Sequence, residues 1–191
     1  AALRLLYPDG RAITPDSATD DFSLKSLCED NVYSLTLTPR RAGLALAAVE
    51  YDIPLPHDLT DVPEELYIYD DSAYTNDFTS VVPYVGNEAR TVYNLAVFKN
   101  LRTRKVFLCG LLTAHRFLAM FNLHDGLVTL RFDLEERELH AGEAYLLERF
   151  MVAEGTDNEN VLLEAYGDAV AACNGARPDK PLPVGWRSWS C

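Results

Sequence analysis

Residues 127–134 have the sequence Leu-Val-Thr-Leu-Arg-Phe-Asp-Leu, in which apolar and polar side chains alternate. Because successive side chains of a β-strand point to opposite faces, the even-numbered residues from Val128 to Leu134 fall on one face. The odd-numbered residues from Thr129 to Asp133 fall on the other. The pattern predicts a strand with one buried face and one face in water.

Residues 32–38 repeat this alternation, with Tyr33, Leu35 and Leu37 on the predicted inner face. Near the start of the chain, Pro8-Asp9-Gly10 has the composition of a tight turn between two strands. Similar short runs, separated by Pro, Gly, Asp and Asn, predict further strands at residues 43–53, 65–69, 91–99, 105–113, 116–123 and 144–153.

Short connections between these runs favour antiparallel pairing, since parallel strands need long crossovers. No helical period of ten residues precedes Gly155. The sequence therefore predicts a mainly β fold for residues 1–155, an antiparallel β-sandwich in which two sheets pack face to face.

The pattern changes at Thr156, which stands three residues before Glu159 as in a capping box and predicts the start of a helix. An apolar stripe at helical spacing follows, and Asn174-Gly175 predicts a left-handed stop. The stripe consists of Leu162, Ala165, Tyr166, Ala169 and Cys173. Three prolines lie in residues 177–183. Residues 156–183 are thus predicted to form a linker helix and a Pro-rich connection, and a new unit begins at residue 184.

Composition limits the classes of function. The chain has 191 residues, of which 48% are hydrophobic, and it carries a net charge of -12. A chain of this length can bury roughly 70% of its unfolded surface, so we expect a folded protein. The negative charge repels phosphate backbones and argues against nucleic acid as a partner. The longest apolar runs fall far short of the ~20 residues that cross a bilayer, so no membrane span is expected.

The cysteines and histidines show no metal-ligand spacing. The four cysteines are widely separated, and the four histidines lie apart from one another and from any Ser or Cys partner. We therefore predict no metal site and no disulfide framework. The glycines do not cluster into a phosphate-binding loop, so no cofactor is predicted. Reduced thiols and the absence of an Asn-x-Ser/Thr site favour a cytoplasmic location. An extracellular location stays open, because a leader can be removed.

Residues 183–189 read Pro-Val-Gly-Trp-Arg-Ser-Trp. This stretch resembles the Pro-x-Gly-Trp-x-Ser-Trp signature that opens the catalytic (β/α)8 barrel of melibiase-type α-galactosidases and of the related raffinose synthases. The resemblance implies that residues 184–191 are the first strand of such a barrel and that the preceding β domain is supersandwich-like. It also makes Trp189 a candidate sugar-binding residue at the rim of the barrel. Ser190 stands where the family commonly has an aromatic or acidic residue, which leaves the glycoside substrate open.

Two upstream segments resemble the same family less specifically. Residues 110–113, Gly-Leu-Leu-Thr, look like its Gly-Phe-Leu-Thr strand, and residues 139–143, Leu-His-Ala-Gly-Glu, look like its Leu-x-x-Gly-Glu turn. Loops of this domain reach toward the active site in relatives. Residues 66–85 are rich in Tyr and Asp, so Tyr74 and Phe78 are further candidates for substrate binding. The alternative is that these tyrosines pack over an edge of the sandwich.

The resemblance implies a retaining mechanism with two carboxylates about 5 Å apart. In the resembling enzymes both come from later barrel strands, so no catalytic residue is expected in this chain. The local pairs Asp70-Asp71, Glu64-Glu65 and Glu135-Glu136 are interpreted as solvated turns and faces, since neighbouring side chains in a strand point in opposite directions.

The sequence leaves several functions open. The leading hypothesis is a non-catalytic front domain of an enzyme that hydrolyses terminal α-galactosides, with these sugars as partners of the parent protein and a homo-oligomeric parent compatible with the resemblance. One alternative is a free-standing carbohydrate-binding sandwich. Another is the front domain of a raffinose synthase-type galactosyltransferase. A third is that Trp186 and Trp189 only cap the sandwich.

Overall fold

The computed structural model describes residues 2–14, 21–70, 80–84, 86 and 89–176. In chain order, the strands of these residues are β1 (Leu3–Leu6), β2 (Ala12–Ile13), β3 (Phe22–Glu29), β4 (Val32–Pro39), β5 (Leu44–Ala45), β6 (Ala48–Pro54), β7 (Leu66–Asp70), β8 (Ser80–Pro83), β9 (Arg90–Val92), β10 (Leu95–Asn100), β11 (Lys105–Leu111), β12 (Leu118–His124), β13 (Leu127–Asp133), β14 (Glu138–Leu139), β15 (Tyr145–Leu146) and β16 (Phe150–Thr156). The helices are α1 (His57–Thr60) and α2 (Glu159–Asn174), and Pro63–Glu65 forms a single 3-10 turn.

The strands form two large antiparallel sheets. Within the described ranges, one sheet has six strands in the order β2-β1-β6-β13-β12-β9. The other has eight, in the order β15-β4-β16-β11-β10-β7-β8, with β3 paired to β4. A short pair, β14 and β5, stands beside them. The predicted antiparallel β-sandwich is confirmed.

The main core lies between the two large sheets. Phe132 of β13 and Phe150 of β16 come from opposite sheets, and their ring centroids are 6.3 Å apart. Tyr33 stacks on Phe150 at 5.2 Å, and Tyr51 approaches the same ring at 5.6 Å. Contacts of this kind contribute about 0.5–1.5 kcal/mol each beyond the burial of their area.

The two strands with the clearest alternation behave as predicted. In β13, Val128, Leu130 and Phe132 are fully buried and the residues between them are half-buried. In β4, Leu35 and Leu37 are fully buried, whereas Tyr33 is only partly buried. The predicted turn at residues 8–10 is also present, because the amide of Gly10 donates to the carbonyl of Tyr7 and Gly10 has a positive φ of 85°.

Helix α2 lies on the outer face of the eight-stranded sheet and closes a second, smaller core. Leu162 of α2 is buried there with Val106, Leu108 and Met151. Strand β11 is consequently buried on both faces, which explains its nearly unbroken apolar sequence Val-Phe-Leu-Cys-Gly-Leu. Within residues 2–176 as described, no helix combines the length and apolar composition that a membrane span needs.

The predicted start of the helix is wrong by three residues. Thr156 is the last residue of β16, where it pairs with Lys105, and the helix begins at Glu159. Asn158 caps it, since its side chain accepts a hydrogen bond from the amide of Asn160. The predicted stop is confirmed, because Gly175 adopts the left-handed conformation with φ 61° and ψ 42°. Of the predicted stripe, Ala165 is exposed, while Leu163 and Val170 pack inward.

Strand β3 is an element that the sequence analysis missed. It pairs with β4 along its whole length, from Phe22 opposite Pro39 to Glu29 opposite Val32. Most of its side chains face solvent, and Leu27 is 55% exposed. One-sided burial is the signal on which strand prediction depends, and this strand at the end of the sheet hardly has it.

Candidate functional site

The residues predicted to bind substrate lie outside the described residues. This holds for Trp189 by resemblance and for Tyr74 and Phe78, and also for the second residue of the Trp pair, Trp186. Their roles therefore stay predictions. The structure does describe the two upstream segments of the resemblance, residues 110–113 and 139–143, and it links them indirectly through Arg116, Tyr145 and Glu148.

A buried carboxylate, that of Glu148 in the connection between β15 and β16, joins this connection to the first of these segments. The Thr113 hydroxyl donates to Oε2 of Glu148 at 2.5 Å. The backbone amides of Arg116 and Phe117 donate to Oε1 of Glu148 at 2.7 and 3.0 Å. The amide of Arg149 donates back to the Thr113 hydroxyl at 2.9 Å. Glu148 is only 3% exposed, so these bonds fix the chain from residue 113 to 117 against residues 148 and 149.

The second segment is bound to Arg116, which lies three residues after the first segment, through an ion pair and a tyrosine ring. The guanidinium of Arg116 lies 4.5 Å from the centre of the Tyr145 ring and donates to Oε1 of Glu143 at 3.2 Å. The Tyr145 hydroxyl donates to the other carboxylate oxygen of Glu143 at 2.9 Å and accepts from the amide of His140 at the same distance. We call Thr113, Arg116, Glu143, Tyr145 and Glu148 the exit cluster.

The name refers to the place where helix α2 ends. The Asn174 side chain donates to the carbonyl of Leu112 at 2.7 Å, and its oxygen lies 3.0 Å from Nε2 of His115. The Tyr166 hydroxyl donates to the carbonyl of Leu111 at 2.7 Å. The last described residues of the chain are thus fixed beside the exit cluster. A cleft of about 380 Å³ opens there, between the exit cluster and Cys173.

The resolved pKa shifts of described carboxyl groups run downward, in the direction opposite to that of a general acid. Burial by itself raises the pKa of Glu148, but the hydrogen bonds from the Thr113 hydroxyl and from backbone amides outweigh it, and the pKa lies below its ordinary value. The pKa of Glu143 is lowered by its hydrogen bonds with Tyr145 and Arg116. Among the described carboxyl groups with a resolved shift, every pKa is lowered; the others are Asp9, Asp21, Asp58 and Glu159.

Two of the three carboxylate pairs considered in the sequence lie entirely within the described residues. Glu135 and Glu136 form the middle of a tight turn, with φ of 54° and 55° and a hydrogen bond from the amide of Arg137 to the carbonyl of Leu134. Glu64 and Glu65 lie in the 3-10 turn. Asp71 lies outside the described residues. In the described part of the chain, no group of three His, Cys, Asp or Glu side chains is placed to hold a metal ion.

A second concave surface lies on the outer face of the eight-stranded sheet, beside the first half of helix α2. We call it the outer groove. Its volume is about 810 Å³. It is lined chiefly by Tyr67, Tyr69, Val81, Leu95, Val97 and Leu163. An ion pair between Lys99 and Glu159, with the two charged atoms 2.5 Å apart, stands at the end nearest the start of α2. Sequence analysis missed this groove because its walls come from separate strands and a helix.

The comparisons with known proteins give a weak structural likeness. No family model and no curated protein sequence matches this chain. Among solved structures, the α-galactosidase from Lactobacillus brevis is similar, with a TM-score of 0.43 and 10% sequence identity. The match covers 89% of this chain and 31% of that chain. A likeness of this size carries no inference about activity.

Proposed function

We propose that this chain is the non-catalytic front domain of an α-galactosidase-like glycoside hydrolase. In this proposal, a barrel that begins at residues 184–191 hydrolyses terminal α-galactosides by a retaining mechanism, and the sandwich supports the barrel and shapes its entrance. The observation that carries the proposal is the order of parts along the chain. A β-sandwich is followed by helix α2 and then by a Pro-rich connection that leads directly into the Gly-Trp-x-Ser-Trp motif at residues 185–189.

The attachment of helix α2 supports a role in holding a following domain. Near its first residue, the Lys99 ammonium pairs with the Glu159 carboxylate at 2.5 Å. At its last residue, Asn174 donates to the carbonyl of Leu112. A helix held at both ends and packed along its length sets the direction in which the chain leaves the sandwich. A domain attached after Ala176 would start from a defined point beside the exit cluster.

The pKa shifts of the described carboxyl groups support the proposal that this domain is not itself catalytic. A retaining glycosidase needs an acid whose pKa is raised, so that it stays protonated until it transfers the proton. The resolved shifts among the described carboxyl groups all run in the opposite direction. Glu148 is buried, and its carboxylate accepts hydrogen bonds from the Thr113 hydroxyl and from the backbone amides of residues 116 and 117.

The experiment compares this chain with a longer protein that includes the residues encoded after Cys191 in its gene. We expect the longer protein to release the chromophore from a chromogenic α-galactoside and the 191-residue chain to release none. Turnover by the 191-residue chain contradicts the proposal. A longer protein that folds but lacks two barrel carboxylates, or that leaves the α-galactoside intact, contradicts it as well.

The 191-residue chain and the longer protein also distinguish the alternative functions. Measurable sugar affinity of the 191-residue chain in titration calorimetry would favour the free-standing carbohydrate-binding module. Transfer of galactose by the longer protein to a sugar acceptor, in preference to water, would favour the raffinose synthase type.

A further inference from the structure

Strand β3 is a long, unprotected edge of the eight-stranded sheet. It has eight residues, whereas the edge strands β2, β9 and β8 have two, three and four. Natural sheets protect an edge by keeping it short or by placing a proline or a bulge in it. β3 contains no proline and pairs with β4 in one unbroken register. Its outer side is therefore able to accept another strand.

The backbone of β3 directs the polar groups of its even-numbered residues toward this open edge. β3 and β4 are joined by the turn Asp30-Asn31, and both residues have positive φ, 50° and 66°. In a two-residue hairpin of this kind, the residues on either side of the turn exchange both backbone hydrogen bonds. Bonded pairs recur at every second residue, so the amides and carbonyls of Leu24, Ser26 and Cys28 point away from β4.

The hydrogen bonds of β4 agree with this direction. The carbonyls of Leu35 and Pro39 accept from the amides of Leu147 and Gly142, which lie outside β3. The odd-numbered residues of β4 thus face away from β3, and the even-numbered ones bond to the odd-numbered residues of β3 that stand opposite them. Within the described part of the chain, the outward backbone groups of β3 have no partner.

The side chains of β3 are complementary to those of a second β3 in one antiparallel register. In this register Leu27 stands opposite the same leucine of the second copy, and Lys25 stands opposite its Glu29. All three side chains lie on one face of the strand and are exposed, Leu27 to 55%. A shift of two residues places Leu27 opposite one of the two charges instead. A shift of one residue sets outward backbone groups against inward ones.

We propose that β3 is the dimerisation edge of this protein, and that two copies pair antiparallel about a two-fold axis at Leu27. Their eight-stranded sheets then form one continuous sheet. Ser26 of each copy stands opposite Cys28 of the other, and each such pair exchanges both backbone hydrogen bonds. The closed symmetry uses the open edge of both copies, so no further copy can add to it. Lys25 selects for this partner, because a strand without an acid at the facing position leaves its charge unpaired.

The two charges provide the first test, which is the oligomeric state. Sedimentation equilibrium of the 191-residue chain is measured from micromolar to millimolar concentration, and we expect a mass that rises toward that of a dimer. Lys25→Glu and Glu29→Lys each set like charges opposite one another and should keep the chain monomeric. Mixing the two variants, or combining both substitutions in one chain, restores opposite charges and should restore the dimer.

Disulfide cross-linking provides the second test, which is specific for the register. Residue 27 and its copy form a non-hydrogen-bonded pair with Cα atoms about 4.5 Å apart, within the range that a disulfide spans. Leu27→Cys is made in a Cys28→Ser background and oxidised with diamide. We expect a covalent dimer on a non-reducing gel. Leu118→Cys in the same background is the matched control, because Leu118 on β12 is also 55% exposed, and it should give severalfold less dimer.

Three outcomes overturn the proposal. The first is a chain that stays monomeric at millimolar concentration. The second is a dimer that persists in both folded charge variants, and the third is a dimer in which Leu27→Cys cross-links no more than Leu118→Cys. Circular dichroism checks the fold of each variant, and the cross-link decides if a charge variant fails to fold. The pairing does not rest on the proposed function, which is tested separately by hydrolysis in the longer protein.

Discussion

The ring of Tyr166 in helix α2 lies directly over Gly110 of β11. A Cβ atom at position 110 would come within 2.5 Å of Cε2 of this ring. The ring cannot easily move away, since its hydroxyl donates to the carbonyl of Leu111 at 2.7 Å. The absence of a side chain at Gly110 therefore allows helix α2 to approach the sheet. The position of the helix in turn sets where the chain leaves the sandwich, on which the proposed function depends.

Gly110→Ala is expected to lower the free energy of unfolding by about 1–3 kcal/mol, the usual cost of forcing a methyl group into a filled site. Urea denaturation followed by circular dichroism measures the loss. In a Tyr166→Ala background the ring is gone, so the same substitution should cost much less. Equal losses in both backgrounds would show that contact with Tyr166 is not the cause.

Gly167→Ala is the matched control for this substitution. Gly167 lies within α2, and a Cβ atom there would meet nothing within 4 Å. Alanine is favoured over glycine in a helix by about 0.8–1 kcal/mol, so this variant should be more stable than the unmodified chain by up to that amount. The two glycine substitutions are thus expected to change stability in opposite directions.

Glu148→Gln should destabilise the domain and change its response to acid. An amide cannot accept all the hydrogen bonds that the buried carboxylate accepts from Thr113, Arg116 and Phe117, so we expect a loss of about 2–3 kcal/mol at neutral pH. Because the folded pKa of Glu148 is lowered, the unfolded chain takes up its proton first as the pH falls.

The contribution of Glu148 is consequently complete above the ordinary value of 4.5 and is lost as the pH falls through the lower folded value. Stability measured as a function of pH should fall less steeply in Glu148→Gln than in the unmodified chain over this range. Glu143→Gln is the comparison variant: the pKa of Glu143 is lowered as well, but the side chain is 41% exposed, so solvent screening should make its change in the pH profile smaller. Parallel pH profiles for Glu148→Gln and the unmodified chain would contradict the prediction.

Substitutions in the turn at Glu135 and Glu136 are expected to stabilise the protein. Both residues have positive φ, a conformation in which asparagine and glycine are favoured and glutamate is strained. The double substitution Glu135→Asn and Glu136→Gly should raise the free energy of unfolding by about 1–2 kcal/mol, measured from the denaturation midpoint. Asp125→Asn, in the Asp125-Gly126 turn that already has favourable residues, should be nearly neutral. A loss of stability in the double variant would contradict this explanation of the turn.

Tyr74 or Phe78 is expected to contribute to substrate binding in the longer protein. If this loop reaches the active site, replacing both by alanine raises KM for an α-galactoside while the protein stays folded. Steady-state kinetics with a chromogenic substrate measures the change. An unchanged KM would favour the alternative, in which the aromatic side chains only pack over the sandwich.

The sequence alone determined the features that depend on neighbouring residues. Alternation in residues 127–134 predicted which face of β13 is buried, and Asn174-Gly175 predicted where helix α2 ends. Each of these signals lies within a few residues, and its physical cause, the period of two in a strand or the freedom of glycine at positive φ, is local.

Tertiary structure decided the elements and surfaces that form between residues far apart in the sequence. Thr156 had the sequence of a helix cap but became the end of β16, because its pairing with Lys105 extends the sheet. Strand β3 exists because β4 offers it a partner, not because its own side chains show a buried face. The outer groove likewise required strands and a helix from separate parts of the chain. Hydrogen bonding between strands and packing of a helix on a sheet join residues far apart in sequence, so no local pattern encodes them.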